Sequence, residues 1–587
     1  FFEDDTISHP ECQFRLDHAT GRLSLSRSDE GLSKQSFKDT YHGLDMDVEA
    51  LNWEVGSTTI QLGGISGATN RTATFASVDY FKREAFRSLQ GMADRHPLQL
   101  LRQFEKETGR SDFTTLDFAE FIRLNELSTR ILLIDLANQG FLQMDLETLE
   151  CSIEPKALKF LQNAAGRRDY DVIQFISQAP NGINGSLSLL NGRLRLDGVL
   201  PFQVSDSQDV RILPETGRVE IGENRSFDFS GRVLAGNLEF IGAGFGFDYE
   251  GFQIELSQVE EVKLQVDDPT ERDRYGRPVK RPIQSSLREV TGTLKIDDPR
   301  NRSGLRSRQF TQYPILSSKE TSFVYYDEQR IQGGAYDRDR FYFAVNPFTM
   351  NNLDRFAPED LAFQGTLVSA GILPDLEQPL ELMADYSLGI STETTSAGKE
   401  LYGGLARYTE AIRLDLKGLH GGGVIDFKTA HAEGDDFTFL PDEAIGVTST
   451  FSNRSDEGFD VPHLTGRGGD LRFAPYEHRL ECSTGRDSLT AYYEGVKFRG
   501  ALTYVDSGMF ATGVFKFDQA QLTSEAFQLT QHHSMADSAG FQLRGLEDRM
   551  AFRADAVKAD VNFTDRLGDF EAMTGEVKVE LPLNQYE

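Results

Sequence analysis

The feature that most constrains this chain is a stretch it writes twice. Displacing the sequence by 90 positions lays Gly418, Gly423, Val424, Phe427, Ala430 and Phe437 on Gly508, Gly513, Val514, Phe517, Ala520 and Phe527 without a gap. The shared text is Gly-(Leu/Met)-x-x-x-Gly-Val-x-x-Phe-x-x-Ala, followed by Phe-x-(Phe/Leu). Apolar residues alternate with period two and glycines punctuate a turn, so each copy reads as strand–turn–strand. Duplication of a β unit points to a mainly β fold, either a stacked, solenoid-like array or tandem β-sandwiches. It names no reaction.

A second phrase carries the same grammar. Gly231, Gly292, Gly365 and Gly500 each stand between apolar residues two places before and two places after. In an array of strands, such a glycine marks a bend or a close backbone approach. Strand text dominates from Ile183 to the end, and the 53 Gly and 43 Phe against 19 Pro suit frequent turns between aromatic-rich strands. Residues 1–75 also read as short strands, with Phe14–Asp17 and Arg22–Ser26 alternating around a turn at His18–Gly21.

Between residues 76 and 178 the period changes to that of helices. Phe81, Phe86 and Leu89 recur at helical spacing, as do Leu98, Leu101 and Phe104, and then Phe118, Phe121 and Ile122. A helix over Ile131–Ala137 follows, with Ser128 as its N-cap and Gly140 as its stop. Phe141–Met144 and Leu149–Ile153 pair as a hairpin, and Pro155 opens another helix. Helix, helix, hairpin, helix resembles a winged helix. The DNA-binding form needs a basic recognition helix, and the 131–138 segment holds Asp135 and no Lys or Arg. The insert is therefore expected to serve packing or protein contact.

At 587 residues the chain exceeds one core. The expected segments are 1–75, the helical insert 76–178, β regions at 179–320 and 321–400, and the repeats at 401–587. The formal charge of −31, from 92 acidic and 61 basic side chains, repels phosphate backbones and anionic lipid surfaces. Nucleic acid is not expected as a partner. No stretch reaches the roughly 18 apolar residues of a membrane helix. Cys12, Cys151 and Cys482 lie far apart, with neither a zinc spacing nor a disulfide framework. The chain opens Phe1-Phe2-Glu3-Asp4-Asp5 and ends inside an alternating run, so it is expected to be part of a longer exported polypeptide.

Candidate chemistry is sparse. Gly242–Gly246 lies between strands and opens no helix, and Gly421–Gly423 belongs to a repeat turn, so neither reads as a phosphate loop. His532-His533 with nearby Asp537 lacks the remaining ligands of a zinc site. Asp435-Asp436 and Glu260-Glu261 are adjacent pairs whose members face opposite sides of a strand and cannot flank one glycosidic bond. Asp297–Asn301 and Asp337–Asp339 are acidic turns without a calcium-loop pattern. The segment Arg272–Pro282 is a basic, exposed loop. No catalytic, cofactor or metal residue is assigned.

Three triplets, Asp5-Thr6-Ile7, Asp487-Ser488-Leu489 and Asp537-Ser538-Ala539, look like the Asp-(Ser/Thr)-aliphatic acceptor text of Bacteroidota envelope O-glycosylation. The phrases at Val204–Val210, Tyr325–Asp327, Phe341–Phe348 and Phe439–Asp442 resemble long, β-rich, uncharacterised envelope proteins of Bacteroidota. The resemblance implies export to the periplasm or outer membrane. The function expected from these readings is a non-enzymatic envelope scaffold that binds envelope proteins, as part of outer-membrane assembly or secretion machinery. The alternatives are a lipid-carrying β-groove and a polysaccharide-active enzyme on a β-rich scaffold.

Overall fold

In a computed structural model, the chain is described over residues 5–28, 31–64, 72–91, 94–356, 358–392, 398–455, 458–545, 550–573 and 578–579. Strands hold 52% of the chain and helix 12%, and every α-helix among the described residues falls between Arg83 and Ala164. The protein is mainly β with one helical insert. It divides into two compact units, Phe1–Ser322 with Asn346–Asp360 and Phe323–Val345 with Leu361–Glu587.

The first unit is built on a fifteen-stranded antiparallel sheet that begins at Gln13–Asp17 and ends at Thr349–Met350. A five-stranded sheet packs on it through Phe175, whose ring lies 4.7 Å from Phe202 and 5.4 Å from Phe227. The basic segment expected as an exposed loop is the tip of a two-stranded ribbon: residues 273–277 form an exposed turn, and Arg272 and Pro278–Pro282 are the strand ends that carry it. Beyond Leu264 the strand Gln253–Arg272 pairs only with Pro278–Leu287, so the two run past the sheet and leave Tyr275 exposed near the tip.

Bends, more than strand length, organise the second unit. Strand Ala520–Leu529 buries Leu522, Ser524, Phe527 and Leu529, so its inward parity changes between 524 and 527. The register shows why: Ala511 faces Phe527 while Gly513 faces Ser524, which places one extra residue in the 520–529 strand. A bulge of this kind turns the strand and returns its apolar side chains to the interior. The first copy of the repeated text does the same, with Gly421 facing Phe437 and Gly423 facing Gly434. Both copies form hairpins of two ten-residue strands. These glycines are not the turn residues that the repeated text suggests. The turns lie at 428–429 and 518–519, and Gly421–Gly423 sits mid-strand, at the bend. Gly242 is likewise inside a strand, Leu238–Asp248, where an added Cβ would lie 2.2 Å from the Gln258 carbonyl.

The four glycines of the second phrase mark close backbone approaches. A Cβ at Gly231, Gly292, Gly365 or Gly500 would lie 2.0–2.3 Å from a neighbouring carbonyl oxygen. Gly500 stands directly opposite Gly513, both at positive φ.

These bends fold the sheet over on itself. Phe427 ends its strand at one edge of the sheet, and Phe473 lies at the opposite edge, three strands away. In a flat sheet about 14 Å across the strands and about 30 Å along them would separate the two. Their rings lie 5.1 Å apart. Phe427 also meets Tyr504 at 5.7 Å, and Lys428 Nζ reaches Asp506 at 2.8 Å. One continuous antiparallel meander thus supplies both layers of its own core. Among the described residues every strand pair of this sheet is antiparallel, unlike the parallel coils of a solenoid. Midway, Ala444–Asn453 and Val496–Val505 flank two columns that are each split into two short strands, which closes a ring of six paired strands.

Candidate functional site

The helical insert folds as its sequence pattern anticipates, with one shift. Helix α1 spans Arg83–Gln90, and α2 spans Pro97–Thr108 between the His96 cap and left-handed Gly109. Helix α3, Thr115–Ile122, starts on a capping box in which Thr114 and Asp117 satisfy each other's backbone N–H groups. Helix α4 runs Glu126–Asn138, five residues earlier than expected, because Asn125 is the N-cap and accepts from the Ser128 N–H. The earlier start brings Arg130 into the helix. Helix α5 is Pro155–Ala164.

The chain order α2, strand Asp112–Thr114, α3, α4 and hairpin Leu142–Met144/Glu150–Ile153, with Glu150–Ile153 central in the sheet, is winged-helix topology. Its core gathers Leu98, Leu101, Phe104, Phe118, Leu133 and Leu136.

The outer face of this module is unlike a DNA reader. Helix α4 buries Thr129, Leu133, Leu136 and Ala137. On its other side Leu127 is 71% exposed and Ile131 63%, an i, i+4 pair sharing one face. Leu116 and Leu124 are also more than half exposed. Over residues 97–164 eleven acidic side chains face seven basic ones, and the hairpin turn carries Asp145 and Glu147. Such a surface offers apolar contact and no phosphate attraction.

A buried polar cluster holds the neck of the insert. The strands that enter and leave it, Thr72–Ser77 and Gln174–Gln178, pair with each other. Asp171, fully buried, accepts from Ser77 Oγ at 2.7 Å, Tyr249 Oη at 2.8 Å and the Ile173 N–H at 3.1 Å. Arg225, on a turn of the long sheet, donates to Asp79 and to Tyr249 Oη, each at 2.9 Å, and lies 3.9 Å from Asp171. Its guanidinium stacks 3.7 Å from the centre of the Tyr249 ring, and that of Arg302 lies 4.3 Å away. Burial holds the Asp171 carboxyl above the usual carboxylate range, against the pull of Ser77, Tyr249, the Ile173 N–H and Arg225. Burial and the Asp171 charge raise the Tyr249 phenol. Arg168 completes the cluster by donating to Asp79 at 2.8 Å.

A polar cleft of about 750 Å³ lies between the hairpin of this module and the N-terminal segment, lined among others by His9, Lys38, Arg110, Asp117 and Cys151. Its nucleophile candidates are occupied. His9 Nε2 donates to the Gln35 carbonyl and Nδ1 accepts from the Glu11 N–H. Burial pushes the Cys151 thiol up to about 12.

The remaining sequence candidates do not converge. His533 Nδ1 meets Asp560 at 2.6 Å and His532 Nδ1 meets Thr564 at 2.8 Å, while Asp537 points into solvent. Among the described residues no group of three His, Cys, Asp or Glu is arranged to hold a metal. Asp297 is buried with its oxygens taken by N–H donors of Gln208, Asn301 and Asp298, an internal latch. Asp337 accepts from the Asp339 N–H, and Arg338 pairs with Asp327. Glu261 pairs with Arg288. Thr6, Ser488 and Ser538 of the three triplets are all exposed. Besides the neck cluster, sequence reading missed a second one: His420 sits between Asp436 at 2.7 Å and Asp415 at 3.1 Å. Its three members come from three strands, and no linear spacing signals it.

No helix among the described residues is long and apolar enough to cross a membrane. No family model, curated protein or solved structure matches the chain.

Proposed function

We propose that the protein is a non-enzymatic, exported scaffold of the cell envelope, periplasmic or outer-membrane associated, of the long β-rich kind found in Bacteroidota. In this reading the folded sheets form a stiff support, and the winged-helix module presents Leu127 and Ile131 of α4 to another envelope protein, within outer-membrane assembly or secretion machinery. The observation that carries it is the pairing of an apolar outer helix face with a buried ionic clamp at the module's neck. The first supplies contact area, and the second holds that area in a set orientation on the sheet. The duplicated hairpins at 418–439 and 508–529 fit extension of the sheet by repetition of one bent unit.

A lipid trough would need accessible inward side chains. Phe240, Phe245, Phe427, Phe439, Phe498 and Phe515 are buried instead, which counts against that alternative. The test is affinity purification of the full chain from its native envelope, beside a Leu127→Glu/Ile131→Glu variant. A stoichiometric set of envelope proteins recovered with the parent and lost with the variant is the expected result. Recovery of the parent chain alone under gentle extraction overturns the proposal.

A further inference from the structure

We propose that the outer face of the second unit's sheet, centred on Lys497, Arg499 and Lys516, binds an acidic polysaccharide laid across the strands. The proposal stands apart from the docking role of the insert and rests on strand register. Thr465, Thr490, Lys497, Lys516, Gln521 and Gln542 are successive cross-strand partners on six neighbouring strand segments. Their inward neighbours Leu464, Leu489, Phe498, Phe515, Leu522 and Phe541 are buried, so this row faces outward. One step nearer the bend a second row runs Arg499, Val514, Thr523 and Gly540. Arg467, two residues past Thr465, is exposed beside it.

Four cations and no carboxylate occupy these positions, in a chain where acids outnumber bases by 92 to 61. Lys516, Arg467 and Arg499 form no ion pair among the described residues, and Lys497 donates only to the Thr490 hydroxyl, at 2.7 Å. Elsewhere on this unit Lys428 and Arg472 each hold a carboxylate, at 2.8 and 2.6 Å, and Arg553, the cross-strand partner of Gln542 where the first row continues onto the next strand, pairs with Asp555 at 2.7 Å. Lys497 and Lys516 are direct cross-strand partners. Like charges so placed destabilise a sheet, and an anion between the two ammonium groups relieves the repulsion.

The neutral residues decide the class of polyanion. Threonine hydroxyls and glutamine amides offer hydrogen bonds to sugar hydroxyls on a flat surface. The rows hold no aromatic ring on which a base would stack, and no large apolar side chain that would enter a bilayer. Salt screening beyond about 8 Å lets the local charge prevail over the net charge of the chain.

The test is retardation of the full-length protein in gels cast with alginate or polygalacturonate, with neutral dextran as control. The parent protein is expected to bind both acidic polymers and ignore dextran, and binding should weaken as salt is added. Lys497→Gln/Lys516→Gln should weaken binding at least tenfold, while Lys558→Gln, outside the rows, leaves it unchanged. Thermal unfolding of the double variant, expected at or above the parent's temperature, separates lost binding from lost fold. Absence of retardation, or equal retardation of the double variant, overturns the proposal. So does binding to duplex DNA or phosphatidylglycerol vesicles with no binding to either polysaccharide.

Discussion

Replacing Arg225 with methionine isolates what the neck clamp contributes. The side chain is 11% exposed, donates to Asp79 and Tyr249, and lies 3.9 Å from the fully buried Asp171. Its removal leaves Asp171 with hydrogen bonds but without a nearby cation, and Asp79 with Arg168 alone. Breaking a buried charge cluster by deleting one partner costs about 3–5 kcal/mol. The chain has a single tryptophan, Trp53, on a strand of the first unit's long sheet, so its fluorescence in urea reports that unit without signal from the other.

The pH dependence carries a sign. The folded Asp171 carboxyl titrates above its unfolded value, so it stabilises the fold fully at low pH, and that contribution fades as pH rises through the folded value. Arg225 limits this rise, and without it the decline extends further. Asp79 behaves oppositely: its carboxyl is held low by Arg168 and Arg225 despite burial, and stabilises the fold above the carboxylate range. Loss of Arg225 weakens that contribution at neutral pH and matters little in acid. Both effects make the variant's deficit larger at pH 7 than at pH 4. A deficit below about 1 kcal/mol at pH 7, or the same deficit at both pH values, refutes the clamp as described.

Gly500→Ala would place a Cβ 2.0 Å from the Thr512 carbonyl, whereas Gly508→Ala meets nothing within 4 Å. Both glycines have positive φ, so position 508 measures the conformational cost of about 1–3 kcal/mol and position 500 should exceed it, read by hydrogen exchange over 496–517. Equal losses would mean that the close approach is not required. Lys516→Glu turns a like-charged cross-strand pair into an opposite one and should stabilise the second unit by up to ~1 kcal/mol in urea, a gain absent if Lys497 does not face it. A thiol reagent should label Cys12 alone in the native protein and all three cysteines after denaturation. Burial pushes Cys151 up to about 12 and Cys482 up to about 11, and rapid native labelling of either contradicts that placement.

Much of the local structure was legible. The hairpin at Phe14–Ser26, the insert's helices and its terminal hairpin all follow from period and capping, because those signals lie within one or two turns of chain. The misplaced start of α4 shows the limit of this. Ser128 reads as the cap, but Asn125 holds that position and accepts from the Ser128 N–H, because a polar residue three places upstream serves equally well and local chemistry places a helix start only to within about a turn. The clamp was illegible for a different reason. Asp79, Asp171, Arg225 and Tyr249 come from distant segments, and nothing in the text around any one of them marks a buried charge.

The fold-over of the sheet lies between these cases, since its signal is present but is not the one that periodicity searches for. A uniform strand alternates, whereas Leu522, Ser524, Phe527 and Leu529 alternate, slip by one residue and alternate again. The same slip appears at Ala432, Gly434, Phe437 and Phe439, and at Ser534, Ala536, Ala539 and Phe541. A slip in one strand would be a defect, because it would turn half the apolar residues into water. Repeated at the same level in neighbouring strands, and opposed by glycines such as Gly423 and Gly513 that tolerate the close approach, it becomes a crease. The slip, and not the duplication, is therefore what tells a chain of this composition to fold a single sheet into two layers.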